Sequence, residues 1–317
     1  MSRFDPARLR SLLTGLCIIV LAAACSAAPT PPPGPNAIAV PNVLAVETFL
    51  ADMAQHVAGE RLRVQALMPI GVDPHNFEPA PADIVRVNAS TVLIVNGAGF
   101  EGFLNRLLQN AGGQRLVIEA AAGLTSRAAV SESGAAQDHP EGDPHFWLDP
   151  ILAVHYVENI RDGLSQADAA GASVYAANAA AYIADLQALD AWIRDQVSQA
   201  PPAARQLVTN HESLGYFADR YGFQVIGAII PSVSTGAAPS AQQLAGLIDH
   251  IRATGARAIF LEAGANPQLA DQVAAETGVR VVTGLLTHSL SAAGGEGATY
   301  IEMMKFNTRA IVAALKQ

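Results

Sequence analysis

Four of the eight histidines in this chain lie in sequence contexts suited to metal binding. His75 and His145 each follow an Asp-Pro pair. His211 and His288, like His75, come shortly after segments with strand character. Neutral imidazole is a good ligand for borderline transition metals, and four convergent nitrogen donors make a closed tetrahedral site. These four residues are therefore the candidate ligands of one metal ion.

The other histidines lack such a context. His56, His155 and His250 each lie in an amphipathic segment of helical character, where an isolated histidine is more often a hydrogen-bonded surface or core residue than a ligand. His139 lies in a segment rich in serine, alanine and glycine, and we expect it to be a solvated loop residue. Its proximity to His145 leaves an auxiliary role open.

Several carboxylates stand close to the candidate ligands in the sequence. Glu262 ends a strand-like segment and is therefore a reserve ligand. Asp73, Asp143 and Asp149 flank the two Asp-Pro-His turns. A carboxylate that accepts the free imidazole N–H would fix the direction of the ring, whereas aspartates in such segments also initiate turns or cap helices. The sequence leaves both roles open.

The segments around these residues alternate in character. Short apolar runs of strand type are separated by amphipathic runs of helical type, and this series occurs twice. Near-continuous apolar strands between helices indicate parallel sheets covered on both faces. We therefore predict an α/β protein of two lobes, each a mostly parallel sheet with flanking helices. The expected strands are residues 43–46, 63–68, 91–96, 116–119, 206–209, 224–229, 257–261 and 279–283.

A long alanine-rich segment without strand character separates the two series. If residues 167–198 are all helical, the helix is about 48 Å long, which is more than either lobe requires. We predict that it joins the lobes as one backbone helix. The expected domains are an N-terminal lobe at 37–165, the linking helix at 166–200 and a C-terminal lobe at 201–317.

The positions of the candidate ligands suit a site between the lobes. Open α/β sheets bind ligands in the crevice beyond the carboxyl ends of their strands. Each predicted lobe carries two of the four histidines. A cleft between the lobes can therefore bring all four together.

The first 25 residues differ from the rest of the chain. Three arginines precede an apolar run that is short for a transmembrane helix and suits a signal peptide at 1–25. The run ends in Leu-Ala-Ala-Ala-Cys25, which resembles the site at which bacterial lipoproteins are cleaved and acylated; secretory cleavage after an Ala-x-Ala site is the alternative. Residues 26–36 are proline-rich and suit an extended tether. We predict an exported protein held at the membrane by lipid on Cys25.

Charge and composition narrow the choice of partners. The chain has 19 Lys and Arg against 28 Asp and Glu, a formal net charge of -9, with no basic run. This balance disfavours a nucleic-acid partner and favours cations. Hydrophobic residues make up 50% of the chain and charged residues 15%, which is ample material for buried sheets. We expect a globular monomer.

Four longer motifs occur in order along the chain: Gly71-Val-Asp-Pro-His-Asn-Phe-Glu-Pro79, Asn96-Gly-Ala-Gly-Phe-Glu101, Asp143-Pro-His-Phe-Trp-Leu-Asp-Pro150 and Tyr300-Ile-Glu-Met-Met-Lys-Phe-Asn307. Together they resemble the motifs of the zinc and manganese substrate-binding lipoproteins of bacterial ABC transporters. The resemblance implies two lobes linked by one rigid helix, with a single metal ion in the cleft between them. It also implies delivery of that ion to a membrane permease and its ATPase, from the periplasm or the cell exterior.

By motif, His75, His145 and His211 correspond to the first three ligand positions of that family. The fourth position is usually aspartate there, and this chain has His288. Mn2+ prefers oxygen donors and Zn2+ accepts an all-nitrogen shell, so the resemblance favours Zn2+, with Mn2+ as the alternative. The loop of His288 could instead point elsewhere, with water or a carboxylate such as Glu262 completing the shell.

Two other classes of function fit parts of the pattern. A secreted zinc hydrolase would use three histidine ligands, an open position for water and a nearby glutamate as general base. However, no His-Glu-x-x-His pair occurs, and ligands spread over two lobes suit capture of an ion better than catalysis. A surface adhesin has no supporting feature in the sequence. We therefore expect a binding protein and not an enzyme.

Overall fold

The computed structural model describes residues 40–127 and 142–316. The predicted signal segment 1–25, the tether 26–36, Cys25 and His139 lie outside the described residues. Within the two described ranges, no helix is both long enough and apolar enough to cross a bilayer.

The first lobe contains four parallel strands and four helices of more than one turn, in the described ranges. Its strands are β1 (Val43–Ala45), β2 (Val64–Ala66), β3 (Val92–Val95) and β4 (Leu116–Glu119), and its helices are α1 (Thr48–Ala58), α2 (Pro81–Ala89), α3 (Leu104–Ala111) and α4 (Leu152–Ala167). The strand order is β2-β1-β3-β4, and every pair is parallel. Two short 3₁₀ helices, Pro74–Asn76 and Phe146–Leu148, lie in its connections.

The second lobe repeats this architecture. Helix α5 (Ala172–Ser198) leads into β5 (Gln206–His211), α6 (Gly215–Tyr221), β6 (Gln224–Ile230), α7 (Ala241–Thr254), β7 (Ala258–Glu262), α8 (Gln268–Thr277), β8 (Arg280–Leu285) and α9 (Tyr300–Leu315). The strand order is β6-β5-β7-β8, again with parallel pairs. The predicted class, two α/β lobes with parallel sheets, is confirmed, and each expected strand falls on an observed one.

Both faces of the first sheet are buried, which explains the continuous apolar strands. Val92 and Ile94 of β3 pack in a core that includes side chains of α1, α4 and α5. Leu93 and Val95 point to the other face and pack against α2 and α3. Because helices cover both faces, the carboxyl ends of the strands are where loops can form a site.

Helix α5 joins the lobes but is shorter than expected. It packs against α1 and α4 of the first lobe and against α9 of the second. The prediction of one helix over 167–198 is wrong at its start, because α4 ends at Ala167 and α5 begins at Ala172. Asp168 interrupts the helix with φ −141° and ψ 79°. Its carboxylate instead binds the guanidinium of Arg61.

One apolar core extends through both lobes. Phe49 of α1 stacks on Trp147, with ring centroids 4.5 Å apart, and the same core reaches Phe260 of β7 and Tyr300 of α9. The Tyr300 hydroxyl donates to the Trp147 carbonyl at 2.6 Å. This shared core fixes the strand ends of one lobe against those of the other. The residue boundaries expected for the lobes stay a prediction.

Two carboxyl groups are buried next to each other where β1 and β3 end. Glu47 is 1% exposed and Glu101 is 6% exposed. Glu101 accepts hydrogen bonds from the backbone N–H groups of Asn96 and Gly97, which holds the loop after β3. Burial, followed by the charge of Glu101, raises the pKa of Glu47 well above its usual value, and burial raises the pKa of Glu101 to about 7. The pair therefore retains a proton to a higher pH than exposed glutamates do.

This pair predicts an unusual dependence of stability on pH. Because both pKa values are raised on folding, the stability that the pair contributes is present below the usual glutamate pKa and is lost as pH rises toward 7. Glu47→Gln removes one of the two acids. The unfolding free energy of the variant should rise relative to wild type between about pH 5 and pH 8, by at most about 1.4 kcal/mol per pH unit. Denaturant unfolding of the metal-free protein measures this.

The exposed Glu60 provides the matched control, and Glu60→Gln should follow the wild-type curve at every pH. Parallel curves for Glu47→Gln and wild type across this range would contradict the account of the pair.

Candidate metal centre

The first candidate ligand is held by a short turn. His75 lies in the 3₁₀ helix Pro74–Asn76, and Asp73 caps this helix by accepting the His75 backbone N–H at 3.0 Å. The other carboxylate oxygen of Asp73 accepts the side chains of Asn76, at 3.1 Å, and of Thr235, which belongs to the second lobe. Asp73 thus acts as a turn-forming residue that also ties the two lobes together.

His145 is completely buried and is fixed by one carboxylate. Asp143 Oδ1 accepts both the His145 backbone N–H, at 3.0 Å, and the ring Nδ1–H, at 2.8 Å. A carboxylate can only accept, so the proton of the neutral ring is on Nδ1 and Nε2 has a free lone pair. Asp143 therefore has both of the roles that the sequence left open, because it accepts the imidazole N–H and also stabilises the turn by accepting the backbone N–H of His145.

His211 and Glu262 meet where two neighbouring strands end. His211 is the last residue of β5 and Glu262 the last of β7, which pairs with β5. His211 Nδ1 lies 2.7 Å from Glu262 Oε1. Ser213 Oγ and Asn210 Nδ2 donate to this carboxylate, at 3.0 and 3.4 Å.

His288 follows β8 in a segment that is bound to the first lobe on both sides. Trp147 Nε1 donates to the Thr287 carbonyl at 2.8 Å, and the Leu290 N–H donates to Thr48 Oγ1 at 2.9 Å. The His288 ring is 8% exposed, and its Nδ1 lies 3.8 Å from Glu262 Oε2. The loop therefore points the ring inward, toward the other three histidines.

The four histidines converge on one point. One ligand nitrogen from each of His75, His145, His211 and His288 lies within 4.8 Å of the other three. His145 Nε2 is 3.3 Å from His211 Nε2 and 3.3 Å from His288 Nε2. A tetrahedral shell with Zn–N bonds of about 2.0 Å has nitrogen–nitrogen edges of about 3.3 Å. These two nitrogen–nitrogen distances match the edges of such a shell.

Among the other histidines in the described part of the chain, His56 and His155 have partners outside this cluster. His56 stacks on Tyr182 with ring centroids 4.3 Å apart, and His155 lies 3.6 Å from Glu158 on the same helix. Glu262, the reserve ligand of the sequence analysis, contacts Nδ1 of His211 from outside the group of four ligand nitrogens.

An aromatic wall closes one side of the cluster. Phe100 meets His75 edge-on at 5.1 Å between ring centroids, and Trp147 lies 5.2 Å from His145. Neither aromatic residue is among the predicted site residues, although Phe100 lies in the motif at 96–101 and Trp147 in the motif at 143–150. Their position inside those motifs is the signal that could have identified them. Trp147 also lies only two residues after His145.

Burial and neighbouring charges shift the pKa values of the groups in this site in opposite directions. Burial lowers the pKa of His145, and it lowers the pKa of His288 well below the usual value. Burial also acts to lower the pKa of His211, but the Glu262 carboxylate outweighs it and raises that pKa. Burial acts to raise the pKa of Glu262, but His211 and His288 outweigh it and lower that pKa to about 2. Glu262 is therefore an anion at neutral pH.

A cleft between the lobes gives access to this cluster. The cavity has a volume of about 690 Å³ and opens beside His288 and Glu262. The first lobe lines it with residues 70–73 and Asn76, and the second lobe with residues 262–266 and 285–291 among others. Of the four histidines, His288 lines this cavity.

This chain is similar in sequence and fold to known proteins. The family model described as zinc-uptake complex component A, periplasmic, matches residues 43–314. The manganese-binding lipoprotein MntA of Halalkalibacterium halodurans is 34% identical over 270 residues, which are 85% of this chain and 87% of that protein. The iron-binding protein YfeA of Yersinia pestis is 30% identical over 278 residues, 87% of this chain and 86% of that protein. The solved periplasmic zinc binding protein TroA from Treponema pallidum superposes with a TM-score of 0.77 at 26% identity, covering 87% of this chain and 99% of that one.

The contact between His211 and Glu262 predicts a shift that can be measured without metal. In Glu262→Gln the neutral amide no longer offsets the effect of burial, so the pKa of His211 should fall below its wild-type value. A pH titration of the imidazole NMR signals of the metal-free protein measures it. The exposed Glu276 supplies the control, Glu276→Gln, which should leave His211 unchanged. An unaltered His211 pKa in Glu262→Gln would rule out this electrostatic role.

Proposed function

The chain belongs to the periplasmic zinc-uptake complex component A family, and we propose that it captures Zn2+ in the cleft between its lobes and delivers the ion to the permease and ATPase of an ABC transporter. The observation that carries this proposal is the convergence of four histidine nitrogens within 4.8 Å of one another. The ligands in this proposal are His75, His145, His211 and His288.

The donor set is the reason for proposing zinc. Relatives are named for manganese in MntA, for iron in YfeA and for zinc in TroA, so kinship alone does not choose among these metals. Four imidazole nitrogens suit Zn2+, whereas Mn2+ favours oxygen donors and larger coordination numbers. Mn2+ is the alternative cargo.

The charges around the histidines favour a divalent ion. When all four imidazoles are neutral, the carboxylate of Glu262 lies beside the cluster without a cationic side chain in the contacts described, whereas the carboxylate of Asp143 is paired with Arg127. A metal cation bound by the four histidines is therefore attracted by the charge of Glu262. Each carboxylate also holds the Nδ1 of a ligand, which directs Nε2 of His145 and His211 toward the ion.

The same geometry supports a carrier in preference to a zinc hydrolase. A hydrolytic zinc site keeps one position open for water and a carboxylate ready as general base. Here the four histidines offer enough nitrogen ligands to close a tetrahedral shell, and Glu262 is engaged by His211 and Ser213. A closed shell binds the ion without activating water.

We further propose that the protein is exported and anchored by lipid on Cys25, with its folded lobes facing the periplasm or the exterior as a monomer. Cys25 ends a lipoprotein-type signal segment, and a proline-rich tether follows it. MntA, the relative with 34% identity, is itself named a lipoprotein. An anchor of this kind keeps the carrier close to its permease.

The central experiment is a competitive zinc titration with elemental analysis of residues 37–317. We expect one zinc ion per chain, and His145→Ala should weaken binding by more than about 100-fold because a direct ligand is lost. His250 lies exposed on α7, so His250→Ala is the matched control and should bind like wild type. A chain that binds no zinc, or a His145→Ala variant that binds like wild type, would contradict the proposal.

His288 controls the choice of metal in this account. His288→Asp supplies an oxygen donor, so the ratio of Zn2+ to Mn2+ affinity should fall by on the order of tenfold. His288→Ala should weaken Zn2+ binding without improving Mn2+ binding. The same titration, run with each metal, measures both. Wild-type Zn2+ affinity in His288→Ala would show that another group completes the shell.

A further inference from the structure

Arg127 belongs to the first lobe and contacts the second lobe close to the candidate metal centre. Its Nε and Nη2 donate to the two carboxylate oxygens of Asp219 on α6, at 2.8 and 3.3 Å. Its Nη1 lies 3.5 Å from Asp143 Oδ2. The other oxygen of that carboxylate, Oδ1, is the one that holds the backbone and ring of His145.

The backbone of Arg127 is joined to the same aspartate. The Arg127 N–H donates to the Tyr216 hydroxyl at 2.9 Å, and this hydroxyl donates to the Asp143 carbonyl at 2.7 Å. The Asp143 N–H in turn donates to the Arg127 carbonyl at 3.1 Å. Asp143 is only 1% exposed, so these bonds fix a carboxylate in the interior.

The place of the guanidinium depends on a glycine in the other lobe. Gly215 is the first residue of α6, and a Cβ added there would lie 1.8 Å from Arg127 Nη1 and 3.0 Å from Asp143 Oδ2. Any larger residue would push the guanidinium away from Asp143. The second lobe thus provides both the space for Arg127 and its principal partner, Asp219.

We propose that Arg127 is a positioning residue of the metal centre, which acts through Asp143 to hold the ring of His145 and so links helix α6 of the second lobe to a ligand in the first. With Oδ2 held by Arg127, Oδ1 stays directed at the His145 ring. Without that bond the carboxylate can rotate and release Nδ1. This inference rests on the proposed function, since it assumes that His145 binds metal.

The sign of the effect separates positioning from simple electrostatics. A guanidinium near the site repels a divalent ion, so its charge alone would make zinc binding tighter when it is removed. If Arg127 instead positions His145 through Asp143, removing the guanidinium should weaken zinc binding. Outer-sphere partners of metal ligands are typically worth about 10-fold to 100-fold in affinity, and Arg127 acts one step further out, so we expect a loss of about tenfold.

The test is a competitive zinc titration of wild type, Arg127→Met, Asp143→Asn and the double variant. Arg127→Met should weaken zinc binding about tenfold. The double variant should bind zinc less than about twofold more weakly than Asp143→Asn alone, because Arg127 acts through Asp143. Unchanged or tighter binding in Arg127→Met, or full additivity in the double variant, would overturn the inference. His145→Ala in the same series distinguishes failure of this inference from failure of the proposed function. If His145→Ala binds zinc like wild type, the proposed function is wrong. If His145→Ala loses binding and Arg127→Met does not, only the role of Arg127 is wrong.

Gly215→Ala tests the same role without touching a charged residue. The metal-free variant should remain folded, with a melting temperature close to that of Arg127→Met, because both changes remove the same contact between Arg127 and Asp143. Its zinc affinity should nevertheless fall by about as much as in Arg127→Met, because the new Cβ displaces the guanidinium. Gly246 of α7 has open space around its Cβ position, so Gly246→Ala is the matched control and should bind zinc like wild type. Wild-type affinity in Gly215→Ala, or an equal loss in both glycine variants, would also overturn the inference.

Discussion

The structure depends on placing four imidazole rings so close together that they cannot all be protonated. The ring centroids of His211 and His288 are 4.9 Å apart, and those of His75 and His145 are 5.5 Å apart. Like charges at this distance in a buried site are strongly unfavourable, so the cluster is stable only when the rings are mostly neutral or share a cation. Asp143 contacts Nδ1 of His145 and Glu262 contacts Nδ1 of His211, which leaves Nε2 of these two rings facing the centre of the cluster.

The fold satisfies this requirement by fixing two sheets against each other. Parallel strands place their carboxyl ends at one edge, and the shared core around Trp147 and Tyr300 holds the edges of the two lobes together. Some hydrogen bonds between the lobes are made by residues close in sequence to the candidate ligands. Trp147, two residues after His145, donates to Thr287, the residue before His288. The packing between the lobes therefore sets the distances between the four histidines.

The sequence was informative where the signal is local. Apolar strands between helices identified eight strands, and the two Asp-Pro-His turns and the strand ends identified the four histidines that converge. The features that it could not predict are side-chain contacts between distant segments. Arg127 and Asp219 are 92 positions apart, and nothing in their local pattern indicates that they meet. The interruption at Asp168 was missed for the same reason, because its partner Arg61 lies in another part of the lobe.

The most direct test of the account is X-ray absorption spectroscopy at the zinc edge of the zinc-loaded protein, which reports the number and type of ligand atoms. The account predicts four nitrogen ligands at about 2.0 Å with the outer scattering of imidazole rings. A shell of three nitrogens with a carboxylate or water oxygen, or a shell of five or six ligands, would contradict the central claim that His75, His145, His211 and His288 together enclose the ion.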